Sequence, residues 1–139
     1  MYKKTITYTD YNGVERTEDF YFHLNKAQIL KMEADANGGY ADKLQKIAKS
    51  GNGAEIMKFF RDFILDSYGI KDEDGKHFRK SAEISKDFED TEAYSELLIE
   101  LCTNTESAIA FISGIFPFSD EQRKEFVEKA STTALPTNT

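Results

Sequence analysis

The side chains of this 139-residue chain that could do chemistry are mainly carboxylates, since it has 25 Asp and Glu residues but only two His and one Cys. The segment 72–75 (DEDG) comes nearest to a calcium loop. An EF-hand loop needs an oxygen ligand at its first position and a Glu at its twelfth. Aligned on Gly75, those positions hold Ile70 and Ser81. The segment therefore predicts a solvated acidic turn and no metal site.

The histidines are far apart in sequence, although the fold could still bring them together. His23 falls in a predicted strand, where alternation points it away from the apolar face. His77 follows the acidic turn and can pair locally with Asp72 or Asp74. With Cys102 the histidines make fewer than the four Cys and His ligands usual in a structural zinc site. The sequence also lacks a G-x-S-x-G, P-loop or dinucleotide glycine pattern. We therefore expect a non-enzymatic protein without cofactor or metal.

Cys102 is the single cysteine, so no internal disulfide can form. That usage is typical of a reducing compartment. The neighbouring Glu100 and Glu106 would raise the pKa of the thiol rather than lower it. The sequence therefore favours an unreactive cysteine in an apolar helical pattern.

The net charge of −7 comes entirely from residues 70–139, because residues 1–69 carry equal numbers of acidic and basic side chains. Nucleic-acid binding needs a basic footprint, so we expect no nucleic-acid partner. No signal-peptide pattern follows Met1, and no apolar run is long enough to span a bilayer. We therefore expect an acidic, soluble, cytoplasmic protein that does not bind membranes.

The elements that would position these side chains begin with a β-hairpin over 2–24. Apolar residues alternate along both predicted strands, and Asn12-Gly13 is a strong turn signal. The alternating residues are Tyr2, Ile6, Tyr8, Phe20, Phe22 and Leu24.

The register of this hairpin can also be argued. A strict two-residue turn would put the two apolar rows on opposite faces, and a one-residue slip inverts every side chain. Pairing Ile6 with Phe20, Tyr2 with Leu24 and Asp10 with Arg16 instead gives one apolar face, with an ion pair between Asp10 and Arg16 near the turn. We therefore predict a three-residue loop or a bulge at Gly13.

Short helices are predicted from residue 25 to 130, with a small second hairpin at 70–80. Capping side chains mark the starts of several helices. They are Asn25 with Gln28, Ser81, Thr91, Thr105, and Ser119 with Gln122. In the first helix, Ala27, Leu30 and Ala34 are expected to form the apolar face, flanked by Ile29. Gly69 is expected to end a strong helix over 54–68 as a left-handed cap.

We therefore predict an α+β fold: an N-terminal antiparallel hairpin followed by six or seven short helices. Residues 1–130 form a single domain in this prediction, and residues 131–139 (STTALPTNT) form a disordered tail.

The segment 108–118 (AIAFISGIFPF) is the most apolar in the chain. Its large side chains cover more than half of a helix circumference, which one core face does not easily satisfy. Two interpretations stay open: full burial, or partial exposure as a partner surface. The residues of that candidate surface are Ile109, Phe111, Ile112, Ile115, Phe116 and Phe118.

Four stretches resemble one family of phage proteins. They are 18–27 (EDFYFHLNKA), 67–81 (SYGIKDEDGKHFRKS), 91–98 (TEAYSELL) and 111–117 (FISGIFP). In this order they resemble the tail assembly chaperones of long-tailed phages and prophages, over residues 1–117.

The resemblance implies a helper protein that binds the long, helical tape-measure protein and assists assembly of the tail tube. Its expected partners are the tape-measure protein, the major tail tube protein and further copies of itself, in the cytoplasm of the bacterial host. The alternative is a structural virion component of the tail or connector, which would pair its hairpin edge with neighbours.

Overall fold

A computed structural model describes residues 1–122 and 124. Its elements are β1 (Tyr2–Thr9), β2 (Glu15–Phe22), α1 (Lys26–Asp35), α2 (Tyr40–Ser50), α3 (Gly53–Ser67), β3 (Tyr68–Lys71), β4 (Phe78–Arg79), α4 (Ala82–Glu89), α5 (Glu92–Thr103) and α6 (Thr105–Ile115). Another helix begins at Asp120. This architecture confirms the predicted α+β class, with a hairpin followed by short helices. None of the described helices is long and apolar enough to cross a membrane. The proposed tail, 131–139, lies outside the described residues.

The β1–β2 loop has the predicted three residues, Tyr11 to Gly13, and Gly13 has a positive φ of 79°. The Asp10 carboxylate closes the loop by accepting hydrogen bonds from the backbone N–H groups of Asn12 and Val14. The predicted ion pair is also present, with Arg16 Nε 2.6 Å from Asp10 Oδ2. This guanidinium, and then the backbone donors, lower the pKa of Asp10.

The predicted strand partners are wrong by two residues. Ile6 lies opposite Glu18 rather than Phe20, and Tyr2 lies opposite Phe22 rather than Leu24. The loop lies one residue earlier in the chain than the predicted pairing requires, because the Asp10 side chain accepts hydrogen bonds from the N–H groups of Asn12 and Val14. Since side chains alternate with a period of two, the shift keeps the same residues on the same face. The single apolar face is therefore as predicted.

The second hairpin is present as β3–β4, and it joins the first in one sheet of order β1-β2-β3-β4. Gly69 is therefore not a left-handed cap, because it is a strand residue opposite Tyr21. A Cβ at this position would lie 2.6 Å from the Phe78 ring and 2.9 Å from the carbonyl oxygen of Arg79. The glycine permits close strand approach where the sequence indicated a helix end.

Most predicted caps are confirmed. Capping boxes form at Asn25 with Gln28 and at Ser119 with Gln122, and Ser81 and Thr91 cap α4 and α5. The cap of α6 is one residue earlier than predicted: Asn104, not Thr105, accepts the hydrogen bond from the N–H of Ser107. Asn104 takes this position because its side-chain oxygen reaches the third residue of the helix.

The predicted apolar face of α1 is wrong. Leu30 is 71% exposed, while Ile29 and Met32 pack against the core. These two residues are three apart and share one side of the helix. No residue of α1 is fully buried.

Aromatic side chains form the centre of the core. The Phe22 and Phe111 ring centroids lie 5.1 Å apart in an edge-to-face arrangement, and Tyr2 and Phe63 pack against Phe111 at 5.3 and 6.0 Å. Edge-to-face rings are a favourable aromatic geometry. This cluster joins the inner face of the hairpin to α3 and α6.

Candidate partner-binding groove

The apolar segment predicted as a partner surface lies in the core. Its five largest buried side chains are Phe111, Ile112, Ile115, Phe116 and Phe118, and Ile109 is partly buried. Tyr40 stacks on the rings of Phe116 and Phe118 at 4.7 and 6.5 Å. The full-burial interpretation therefore describes this conformation. Partner binding by these residues stays a prediction, and the five buried side chains are not accessible in this conformation.

The acidic turn does bring Asp72, Asp74 and His77 within 4.8 Å of one another. However, Arg79 donates to both carboxylate oxygens of Asp72, at 2.8 and 2.9 Å, and His77 Nδ1 lies 3.1 Å from Oδ2. Arg79 is the main cause of the lowered pKa of Asp72. The positive charge that a cation would provide there is already supplied by the guanidinium, and the turn stays a local structural feature.

The other chemically capable side chains are engaged in packing. Burial raises the pKa of the Cys102 thiol, which makes it a weaker nucleophile at neutral pH. Burial, more than the nearby Lys80, lowers the pKa of His23, whose ring packs edge-to-face on Phe78.

A groove of about 770 Å³ lies between α1, α2 and α3. Its apolar lining consists of Leu24, Met32, Ala36, Tyr40, Ile47, Phe59 and Phe63. Its polar and charged lining consists of Gln28, Lys31, Asp35, Lys43, Glu55, Lys58, Asp62 and Asp66.

The turn between α1 and α2, which form the two outer walls of the groove, is fixed by two glycines and one hydrogen bond. Gly38 and Gly39 join them with positive φ angles of 80° and 91°. Glu33 of α1 accepts a hydrogen bond from the backbone N–H of Tyr40 at the start of α2. A side chain at Gly39 would collide with the Glu33 carboxylate, which a Cβ would approach to 2.5 Å. The glycine pair therefore lets the chain reverse tightly between the walls.

Lys80 ties the N-terminal end of α1 to the C-terminal end of α3. Its ammonium donates to Gln28 Oε1 at 3.0 Å, to the carbonyl oxygen of Asp66 at 2.8 Å, and to the carbonyl oxygen of His23. Burial lowers the pKa of Lys80 to about 8. The three acceptors match the three donors of an ammonium group. All hydrogen-bond donors of Lys80 are therefore satisfied by contacts at this end of the groove.

The floor of the groove is aromatic. Tyr40 lies 5.9 Å from Phe59 and 6.3 Å from Phe63, measured between ring centroids. Burial raises the pKa of the Tyr40 hydroxyl, and the negative charges of Asp66 and Asp62 raise it further. The phenol therefore stays neutral at the base of the groove.

The rim carries charges of both signs. Lys31 pairs with Asp35 at 2.7 Å, and Lys58 pairs with Asp62 at 2.9 Å. These exposed pairs add little stability, and their charges can exchange partners with a ligand. On α3 the rim runs from Glu55 to Asp66, about three helical turns.

The sequence of α3 contains a signal for this groove that the predictions for single helices do not include. The apolar stripe of α3 is broader than one core face, and Phe59 and Phe63 border Asp62 and Asp66. This pattern indicates a helix that packs on one side and borders an open space on another.

An open groove with an apolar floor and a charged rim is typical of domains that bind a helical segment of another protein. A family model described as phage tail assembly chaperone matches residues 1–138. The chain therefore belongs to the phage tail assembly chaperone family, as the resemblance in its sequence indicated. Comparison with curated proteins and with solved structures finds no match.

Proposed function

We propose that this chaperone binds a helical segment of the tape-measure protein in the α1–α2–α3 groove and thereby assists tail tube assembly, without catalysis. The observation that carries the proposal is the groove itself, which lies between charged walls above a buried aromatic floor and is lined by the partly exposed Met32 and Ile47. Membership of the family supports a role among tail proteins. The proposed place of action is the cytoplasm of the bacterial host.

The chemistry of the groove favours an amphipathic helix. Such a helix inserts apolar residues spaced three or four apart into a groove, while its polar face stays in water. Met32, Ile47 and Phe59 line the groove from three different helices, so they can contact an apolar stripe from three sides. Covering that stripe would keep the tape-measure protein from associating through it until tube subunits, including the major tail tube protein, replace the chaperone.

Co-expression with the tape-measure protein of the same phage tests this function. Wild-type chaperone is expected to co-purify with it and to increase its soluble fraction. Ile47→Glu places a charge on the apolar lining of α2 and is expected to abolish both effects. Ile99→Glu is the matched control, because Ile99 is 59% exposed on α5 and does not line the groove.

Measuring the fold of each variant separately distinguishes a loss of binding from a loss of folding. Circular dichroism melts of each variant establish that it folds. Failure of the wild-type chaperone to form a complex would refute the function. Equal capture by Ile47→Glu and wild type would leave a chaperone whose site lies elsewhere, with the buried segment 109–118 as the next candidate.

One observation supports a structural virion component instead. β1 forms an edge of the sheet, and an edge strand can pair with another chain, including a second copy. Mass spectrometry of purified particles decides between the two functions, because a chaperone is absent from finished virions and a tail or connector subunit is present.

A further inference from the structure

Two carboxylates stand one helical turn apart where α3 borders the groove. Asp62 and Asp66 occupy positions i and i+4, where like charges repel and destabilise a helix. Asp66 is an exposed residue on the wall of the groove. Partial desolvation by the surrounding groove raises the pKa of its carboxyl, and the charge of Asp62 raises it further. Asp66 also lies in the last turn of α3, where the helix dipole places additional negative potential.

No described residue forms an ion pair with the Asp66 carboxylate, although cations lie nearby. Lys80, Lys43 and Arg61 each lower its pKa from a distance. The three donors of Lys80 are taken by other acceptors, one of which is the backbone carbonyl of Asp66 itself. The Asp66 side chain therefore gains no direct hydrogen bond from this lysine.

The remaining cations are also engaged elsewhere. Lys43 Nζ lies 5.7 Å above the centre of the Tyr40 ring. Arg61 donates to Glu89 at 3.0 Å and to Asp62 at 3.2 Å. The C-terminal end of the groove thus presents a carboxylate that lacks a counter-ion within the described residues.

We infer that the groove selects a helix whose apolar stripe is flanked by a Lys or Arg, and that this basic side chain pairs with Asp66 beside Asp62. The inference rests on the proposed function and specifies the chemistry of the bound segment. Charge complementarity supports it, because a cation at this position relieves the repulsion between the two carboxylates and meets the negative end of α3. An acidic or uncharged flank would leave Asp66 without a partner.

Overlapping 20-residue peptides covering the tape-measure protein provide the probe, measured by calorimetry against the full chain. The tightest peptide is then remade with its flanking Lys or Arg replaced by Gln. Asp66→Asn is expected to weaken binding of the basic peptide about three- to fivefold and to leave the Gln peptide unchanged. Asp87→Asn is the matched control, since Asp87 is exposed on α4 outside the groove.

A stability measurement on the free protein distinguishes a binding role from a structural one. Asp66→Asn removes a repelled carboxylate, so it is expected to raise Tm, by up to about 2 °C. A residue that only stabilised the fold would lower Tm when replaced. Higher stability together with weaker binding is the combined result that the inference requires.

Each other outcome overturns the inference in an identifiable way. Equal affinity of Asp66→Asn and wild type for the basic peptide would refute the charge selection while leaving the proposed function intact. Binding of no peptide by the wild type would remove the proposed function as well. Displacement of the bound peptide by a synthetic peptide of residues 125–139, or a dimer mass that Ile47→Glu abolishes, would assign the groove to the chain itself or to a second copy.

Discussion

The half of the molecule that contains the sheet and α3–α6 differs in its packing from the arm formed by α1 and α2. Phe22 and Phe111 are 0% and 1% exposed at the centre of the first region. In the arm, α1 has no fully buried residue, and α2 buries only Tyr40 and Ala41. The sheet and α3–α6 therefore form one densely packed core. The helices α1 and α2 pack against it through few buried residues, and the groove lies between them and α3.

Polar contacts fix both ends of α1, the outer helix of the arm, whereas Tyr40 anchors α2 among the aromatic rings of the core. Lys80 and the capping box at Asn25 fix one end of α1, and Glu33 and the glycine pair fix the other. Local opening costs less free energy where few apolar contacts are broken. We therefore expect α1 to open without unfolding of the core, which would let the groove adapt to a bound helix.

The largest predicted effect contrasts one core residue with one residue of the arm. Phe111→Ala removes a ring that contacts Tyr2, Phe22 and Phe63. Such a cavity is expected to lower the free energy of unfolding by about 3–5 kcal/mol. Ile29→Ala, in the partly exposed α1, is expected to cost about 1 kcal/mol. Urea denaturation of both variants measures the contrast.

Similar losses for the two variants would contradict the packing difference between the regions. Hydrogen exchange adds a control that needs no substitution. The amides of α1 are expected to exchange faster than those of α3, and equal protection would mean that the arm opens only with the whole domain.

The next effect concerns the junction between the two hairpins. Gly69→Ala introduces a Cβ against the Phe78 ring and the Arg79 carbonyl, and only the ring can move aside. We expect a loss of roughly 1–3 kcal/mol in the free energy of unfolding. Gly53→Ala is the control, because a Cβ there meets no atom within 4 Å. Equal stability of the two variants would show that the β2–β3 pairing tolerates a wider spacing.

Local features of this fold could be predicted from the sequence because neighbouring residues determine them. The three-residue loop at Gly13 followed from the requirement for one apolar face, and the caps at Asn25, Ser81 and Thr91 followed from side chains that bond to nearby N–H groups. The hairpin register failed by two residues, since alternation alone does not distinguish registers that keep the same face.

The groove and the pairing of the two hairpins could not be predicted from neighbouring residues, because contacts between distant parts of the chain determine them. Gly69 has the same local signal whether it ends a helix or allows strands to approach, and only Phe78 and Arg79 decide between the two. The exposure of Leu30 depends on how α1 docks, which no periodicity within α1 specifies. The segment 109–118 was ambiguous for the same reason, because its burial depends on Tyr40 and Tyr2 from distant parts of the chain.

The smallest predicted effect is a pH dependence at the contact between core and arm. The folded pKa of Lys80 is about 8, below its ordinary value of 10.5. Between these values the unfolded chain binds more protons than the folded one, so the contribution of Lys80 to stability rises with pH. Lys80→Met removes this contribution. From pH 7 to 9, wild type is expected to gain roughly 0.5 kcal/mol relative to the variant, a value reduced by solvent screening of a half-buried ammonium.

Taking the difference between two proteins removes the other groups that titrate in this range, such as Cys102. Lys71→Met is the matched control, because Lys71 is exposed on β3, where it lies opposite Phe78. It is expected to follow the wild-type pH dependence. An NMR titration of the Lys80 side chain measures its pKa directly. An ordinary pKa together with unchanged pH dependence of Lys80→Met would mean that burial of the ammonium does not contribute to the pH dependence of stability.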